Sequence, residues 1–341
     1  MLQTSVTVCI PGTNTCQTID GIQVDTGSHG LRILASALDP SVSLPLVSGS
    51  SGSSLGRRRM RGVRLGLHLG RGAPGRREAG GPARGLDLRA SHRRQRSARR
   101  RAGLRPVQPA DAHSVVLRGN GILGVGPFVA DCGASCAASA VPRWYYDCGP
   151  NGCAASTVAV TQQVTNPVAN FADDNNGVLI ELPDVPDDGA SMVTGTMTFG
   201  IGSQSNNLLG SATVLKSDSV TGYVTTDFDG SQYGSSFIDS GSNGLFFPST
   251  TLFQCGAWYC PATTQAFSAT IRSSSGAQSA VGFSVAQSTE LLGTGNYAFD
   301  NLAGAASGYF DWGLPFFYGR RVFTAIEGRA TPAGAGPYYA F

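Results

Sequence analysis

The chain has 341 residues, 41% of them hydrophobic and 14% charged, which is enough apolar content for a sizeable core and excludes a disordered polymer. No run approaches the roughly 18 consecutive apolar residues of a membrane-spanning helix, and Met1 is followed by neither a basic nor an apolar leader. The sequence is therefore expected neither to span a membrane nor to carry an export signal. With 46 glycines and few charges, it disfavours long amphipathic helices and favours short strands joined by turns.

In chain order, strands are predicted over residues 4–9 and 17–24, around the turn Pro11-Gly12-Thr13-Asn14. Alternation stops near Leu55 and resumes near Val115, where residues 115–117 and 122–125 flank a Gly-Asn-Gly turn. Further strands are predicted over residues 158–164, 178–182, 192–199, 208–215, 223–228 and 236–238, and then over 245–247, 267–271, 281–285 and 322–327. Helical signal is confined to residues 248–255 and 314–319. Trp144, Tyr145 and Tyr146 form an aromatic cluster that either lines a cleft or packs beside a disulfide.

Residues 57–118 hold 18 of the 25 basic residues and only Glu78, Asp87 and Asp111 among the acidic ones, which leaves 7 basic and 19 acidic residues elsewhere. Arginine clusters such as Arg57-Arg58-Arg59 and Arg99-Arg100-Arg101 can neutralise phosphates, so polyanion binding is one reading. Against nucleic acid stand the lack of any recognition motif and of aromatic residues to stack on bases. A solvated insertion is a second reading. The abrupt edges and the Arg/Gly/Ala/Pro content favour a third, a GC-rich gene read in the wrong frame, with about 60 residues of normal content missing.

The eight cysteines fall into four close pairs, Cys9/Cys16, Cys132/Cys136, Cys148/Cys153 and Cys255/Cys260. They lack zinc-knuckle spacing, and their even number suits disulfides and an oxidising compartment. Cross-pairing of Cys132 with Cys153 and of Cys136 with Cys148 stays open. If exported, the chain has lost its leader upstream, since residues 4–8 already read as a strand.

Two segments repeat. Val24-Asp25-Thr26-Gly27-Ser28-His29-Gly30-Leu31 and Ile238-Asp239-Ser240-Gly241-Ser242-Asn243-Gly244-Leu245 each end an apolar strand in Asp-Thr/Ser-Gly-Ser-x-Gly-Leu, 214 positions apart. One such turn is weak evidence, because Asp, Thr and Gly are ordinary turn formers, but two copies after buried-looking strands are stronger. Each half also holds a second apolar strand ending in glycine, Ile122-Leu123-Gly124 and Phe310-Asp311-Trp312-Gly313. No Ser-His-Asp triad is credible, because His29 is the only histidine outside the basic stretch and no serine elbow surrounds a nucleophile.

With these motifs and the closing run from Phe316 to Ile326, the chain resembles the pepsin-like aspartic proteases over residues 4–50 and 115–341. It is similar, more closely still, to a group of uncharacterised exported proteobacterial proteins with the same paired motifs. The resemblance implies an all-β, bilobal fold with few short helices. It divides the chain into a first lobe (1–56 and 115–183) interrupted by the Arg-rich segment 57–114, a linker at 184–189, and a second lobe at 190–341.

The same resemblance implies catalysis by Asp25 and Asp239, bracing by Thr26 and Ser240, and close backbone approach at Gly27 and Gly241. Ser28 and Ser242 would bond the outer carboxylate oxygens. It implies a polypeptide substrate, no metal and no cofactor. His29, where the family more often has Ser or Asn, is expected to face solvent from a loop. The family's flap, a hairpin with a Tyr near its tip, would fall between residues 50 and 90, yet no Tyr precedes Tyr145. A non-catalytic binding or envelope protein on the same scaffold is the alternative function.

Overall fold

The computed structural model describes residues 1–42, 119–149 and 152–341, with the backbone alone at 148, 149 and 152, and also describes the backbone of the strand Gly85–Ala90. The 115–117 strand, the 50–90 hairpin apart from residues 85–90, and most of the Arg-rich segment, with its polyanion reading, lie outside these residues. Described residues are mostly β, with two short α-helices, Gly133–Ala138 and Ser288–Gly293. No described helix is long and apolar enough to cross a membrane.

Ten strands form the first sheet, in the order Val214–Lys216, Tyr338–Ala340, Arg321–Ala325, Gly177–Glu181, Val193–Phe199, Gly85–Ala90, Leu2–Cys9, Cys16–Asp25, Gly121–Val125 and His29–Ile33. It thus joins strands from near both ends of the sequence. Nine strands between residues 224 and 312 form the second sheet, and Tyr146–Gly149 pairs with Gly152–Ala155 in a separate hairpin. Residues 184–189 connect Gly177–Glu181 to Val193–Phe199, which are neighbours in the first sheet.

The strand Gly85–Ala90 sits between Leu2–Cys9 and Val193–Phe199. Its sequence, Gly-Leu-Asp-Leu-Arg-Ala, does alternate, but over too few residues to stand out from the arginines around it.

Alternation becomes burial. In Leu2–Cys9, Leu2, Val6 and Val8 are buried, and Val24 and Ile22 do the same in the partner strand. Leu123, Val178, Ile180 and Met197 continue that core. The second sheet is packed on aromatic rings: Phe310 stacks on Phe247 at 5.0 Å and on Trp312 at 4.3 Å, with Phe228 and Phe283 edge-on. Such offset and edge contacts add to what area burial alone supplies.

Three predicted elements differ. Residues 158–164 are not a strand: Val158 and Val164 are buried but Val160 is exposed, and the buried Gln163 side chain donates to Gly133 O and Val158 O, which turns the chain into the 3₁₀ segment Val160–Gln162. Of the 208–215 prediction only Val214 and Leu215 are strand, within Val214–Lys216, and Asn207 ties the preceding loop to Phe199 O and Ser203. Residues 248–255 are not helical; Ser249 Oγ accepts from Leu252 N, and the Cys255–Cys260 disulfide closes the hairpin Gln254–Cys255 and Trp258–Tyr259. The predicted helical piece near 314 is the 3₁₀ turn Leu314–Phe317.

Cys9–Cys16 and Cys132–Cys136 are also bonded, which rules out the cross-pairing. Cys153 is disulfide-bonded as well, and its hairpin register sets Cys148 opposite it.

Candidate active site

The two repeated motifs occupy matching places. Cys16–Asp25 runs into the loop Thr26-Gly27-Ser28 and returns as His29–Ile33, while Gly121–Val125 lies between them, parallel to the first and antiparallel to the second. Ser231–Ile238 likewise runs into the Asp239 loop and returns as Leu245–Phe247, with Asp311–Trp312 inserted the same way. The inserted strand passes so close to the loop that its glycine is steric. A Cβ on Gly124 would lie 2.6 Å from His29 N, and one on Gly313 would lie 2.1 Å from Gly244 O.

The two loops meet and grip each other. Thr26 Oγ1 accepts from Ser240 N at 2.9 Å and donates to Ile238 O at 3.0 Å. Ser240 Oγ returns the pattern, accepting from Thr26 N at 3.1 Å and donating to Val24 O at 3.0 Å. Both hydroxyls are buried, so each satisfies two backbone groups that no water reaches.

This grip brings Asp25 and Asp239 together. Gly27 N donates to Asp25 Oδ1 at 2.8 Å and to Asp239 Oδ1 at 3.2 Å, so the two inner oxygens share one amide. Gly241 N donates to Asp239 Oδ1 at 2.7 Å. The outer oxygens take hydroxyls: Ser28 Oγ donates to Asp25 Oδ2 at 2.6 Å, and Ser242 Oγ donates to Asp239 Oδ2 at 2.8 Å. A Cβ on Gly27 would lie 2.7 Å from Asp239 Cγ, and one on Gly241 would lie 2.7 Å from Asp25 Oδ1, so side chains at either position would part the carboxylates.

Burial pushes the Asp239 carboxyl well above the usual range, and the neighbouring Asp25 and Asp311 charges push it the same way. Two carboxyls whose inner oxygens meet at one amide in a buried site cannot both ionise without mutual repulsion. Such a pair can activate one water and protonate the group that the water attacks.

His29 departs from expectation. It opens a strand rather than facing solvent; its Nε2 is buried with no hydrogen-bond partner, and its ring packs edge-on against Phe128 at 5.4 Å. Burial pulls its pKa down to about 4; the Asp25 charge opposes this and Arg32 reinforces it.

Sequence reading missed three contributors. Gln23 Nε2 crosses to Gly241 O at 2.7 Å. Asp311 is buried on the inserted strand, and burial raises it to about 7. The buried Tyr339 phenol is raised by burial and then by the Asp239 charge. A signal for Asp311 existed, since a carboxylate between Phe310 and Trp312 is anomalous in an apolar strand. In the Trp144-Tyr145-Tyr146 cluster, Tyr145 is packing: it is buried, bonds Asp131 and accepts from Val164 N. Among the described residues no group of three His, Cys, Asp or Glu side chains could hold a metal ion.

The sequence profile of a family described as a protein of unknown function (DUF3443) matches residues 1–58 and 95–341. The chain belongs to the DUF3443 family. The match passes over residues 59–94, which lie within the Arg-rich stretch and begin near its start. No curated protein matches the chain.

Proposed function

We propose that this DUF3443 protein has the bilobal pepsin-like fold and descends from, or acts as, an aspartic endopeptidase exported to an oxidising compartment. The observation that carries the reading is the mutual grip of Thr26 and Ser240, which sets the inner oxygens of Asp25 and Asp239 on the same amide. Closed disulfides support the compartment.

In this reading the pair holds one proton and a water. The ionised carboxylate takes a proton from the water as it attacks the peptide carbonyl carbon, and the protonated one donates to the carbonyl oxygen. Asp239 is the natural holder of the proton, since burial and its acidic neighbours disfavour its charge. The hydroxyls of Ser28 and Ser242 keep both outer oxygens oriented.

The absence of Tyr before Tyr145 and the unmatched residues 59–94 support a chain without the flap. A site left open neither positions substrate nor excludes water, and positioning accounts for several kcal/mol of a catalysed barrier. This chain is therefore expected to cleave denatured polypeptides weakly or not at all. A version whose gene is restored to an alternative open frame across codons 50–118 should cleave them below about pH 5, and Asp25→Asn or Asp239→Asn should abolish that cleavage while leaving the circular-dichroism spectrum intact. A restored, folded protein inert from acid to neutral pH favours the binding-protein reading.

A further inference from the structure

The two halves of the site differ at Gln23 and Phe237, at His29 and Asn243, and at one place on the inserted strand. Ile122 and Asp311 occupy equivalent places: Gln23 pairs with Ile122 in register as Phe237 pairs with Asp311, each two residues before a paired aspartate. The first half thus has an alkyl side chain at this place and the second a third carboxyl. Asp311 is 4% exposed, and its Oδ1 has no hydrogen-bond partner. Its strand is bonded to the motif itself through Asp239 N to Trp312 O at 3.0 Å.

Ser242 Oγ donates to Asp239 Oδ2, and the Ser242 carbonyl accepts from Leu314 N at 2.7 Å, three residues beyond Asp311, so the strand that carries Asp311 is fixed against the Asp239 motif. Burial raises the Asp311 carboxyl to about 7, against the Ser242 hydroxyl, which lowers it. The titratable groups facing Asp311 are Asp25 and Asp239 from the two motif loops and Tyr339 from the strand Tyr338–Ala340, and no cation is among the charges acting on it.

We propose that Asp311 is a positioning residue that acts on Asp239 through the charge it can carry and extends the one-proton state of the Asp25–Asp239 pair toward neutral pH. As pH rises, Asp311 releases its proton to solvent, and the charge left behind opposes ionisation of Asp239 in a buried site. Asp239 keeps the shared proton over a range in which two carboxylates alone would have lost it. The inference rests on the aspartic-pair reading of the site.

The test uses the chain as it is, labelled with ¹³C at aspartate side chains and titrated by NMR from pH 3 to 9. The Asp239 and Asp311 signals are assigned by their loss in Asp239→Asn and Asp311→Asn. The last proton of the pair should leave at a pH lower by about one unit or more in Asp311→Asn than in the parent, as expected for strongly interacting sites. Asp311→Leu should reproduce that shift if the Asn variant folds poorly, and Asp311→Glu should restore the parental midpoint. An unchanged midpoint in the charge-free variants, or an Asp311 signal that titrates with ordinary surface carboxylates, overturns the inference. If the restored-frame protein cleaves polypeptides, the alkaline limb of its rate profile should shift with the same variants. Inertness of every version sinks the peptidase reading alone, since the titration does not depend on turnover.

Discussion

Thr26 and Ser240 do for each other what no water can do at a buried crossing. Each hydroxyl serves one N–H and one C=O of the opposite loop. Replacing either by alanine strands two backbone groups, at a cost of about 2–4 kcal/mol. Thr26→Ala and Ser240→Ala should each lower the unfolding free energy measured in urea by that amount, and the double variant should lose less than the sum. Strict additivity in the double-mutant cycle would show that the loops are not coupled.

His29 gives the stability a pH dependence of known sign. Its folded pKa of about 4 lies below its ordinary 6.5, so the unfolded chain binds more protons between those values. The contribution is fully present above about pH 6.5 and is lost as pH falls toward 4, up to about 3 kcal/mol in all. Asp239 and Asp311 act oppositely, because raised carboxyls stabilise the folded state at low pH and lose that contribution as pH rises. The His29 effect is isolated by difference: His29→Gln should flatten the fall in unfolding free energy between pH 6.5 and 4 relative to the parent. Equal slopes would mean that the ring is solvated.

At the scale of elements, the paired motifs were legible because chemistry and period coincided: an apolar strand, an Asp-Thr/Ser-Gly turn and a glycine-ended partner strand all occur twice. Where side-chain bonds override period, the sequence misled. The valines at 158 and 164 look like a strand, yet the Gln163 amide closes a turn between them. Asp311 was passed over for the opposite reason: it is the one charged residue in a strand read for its apolar period, and the anomaly was its only signal. The cysteine pairs were legible from spacing alone, and their loops are small. Non-reducing peptide mapping of exported protein should recover Cys9–Cys16, Cys132–Cys136 and Cys255–Cys260 as local links; alkylation of all eight thiols would contradict it.

For the whole molecule, strand order was the least legible feature. Alternation reports which residues are buried but not which strand lies beside which. Nothing in residues 321–340 announces that they cover Gly177–Glu181 or that Tyr339 joins the surroundings of Asp239. The Arg-rich stretch was legible only as an interruption, and the family profile passes over residues 59–94 of it.

The strand order also imposes a timetable on synthesis. A chain emerging from its N-terminus exposes Asp25 early, but Asp239 follows 214 residues later, and the strand that buttresses it, Asp311–Trp312, later still. The sheet beside Gly177–Glu181 stays open until residues 321–325 arrive. A nascent chain that stops short of Asp239 holds one member of the pair alone, and the loop that grips it has no partner until the second motif has been made.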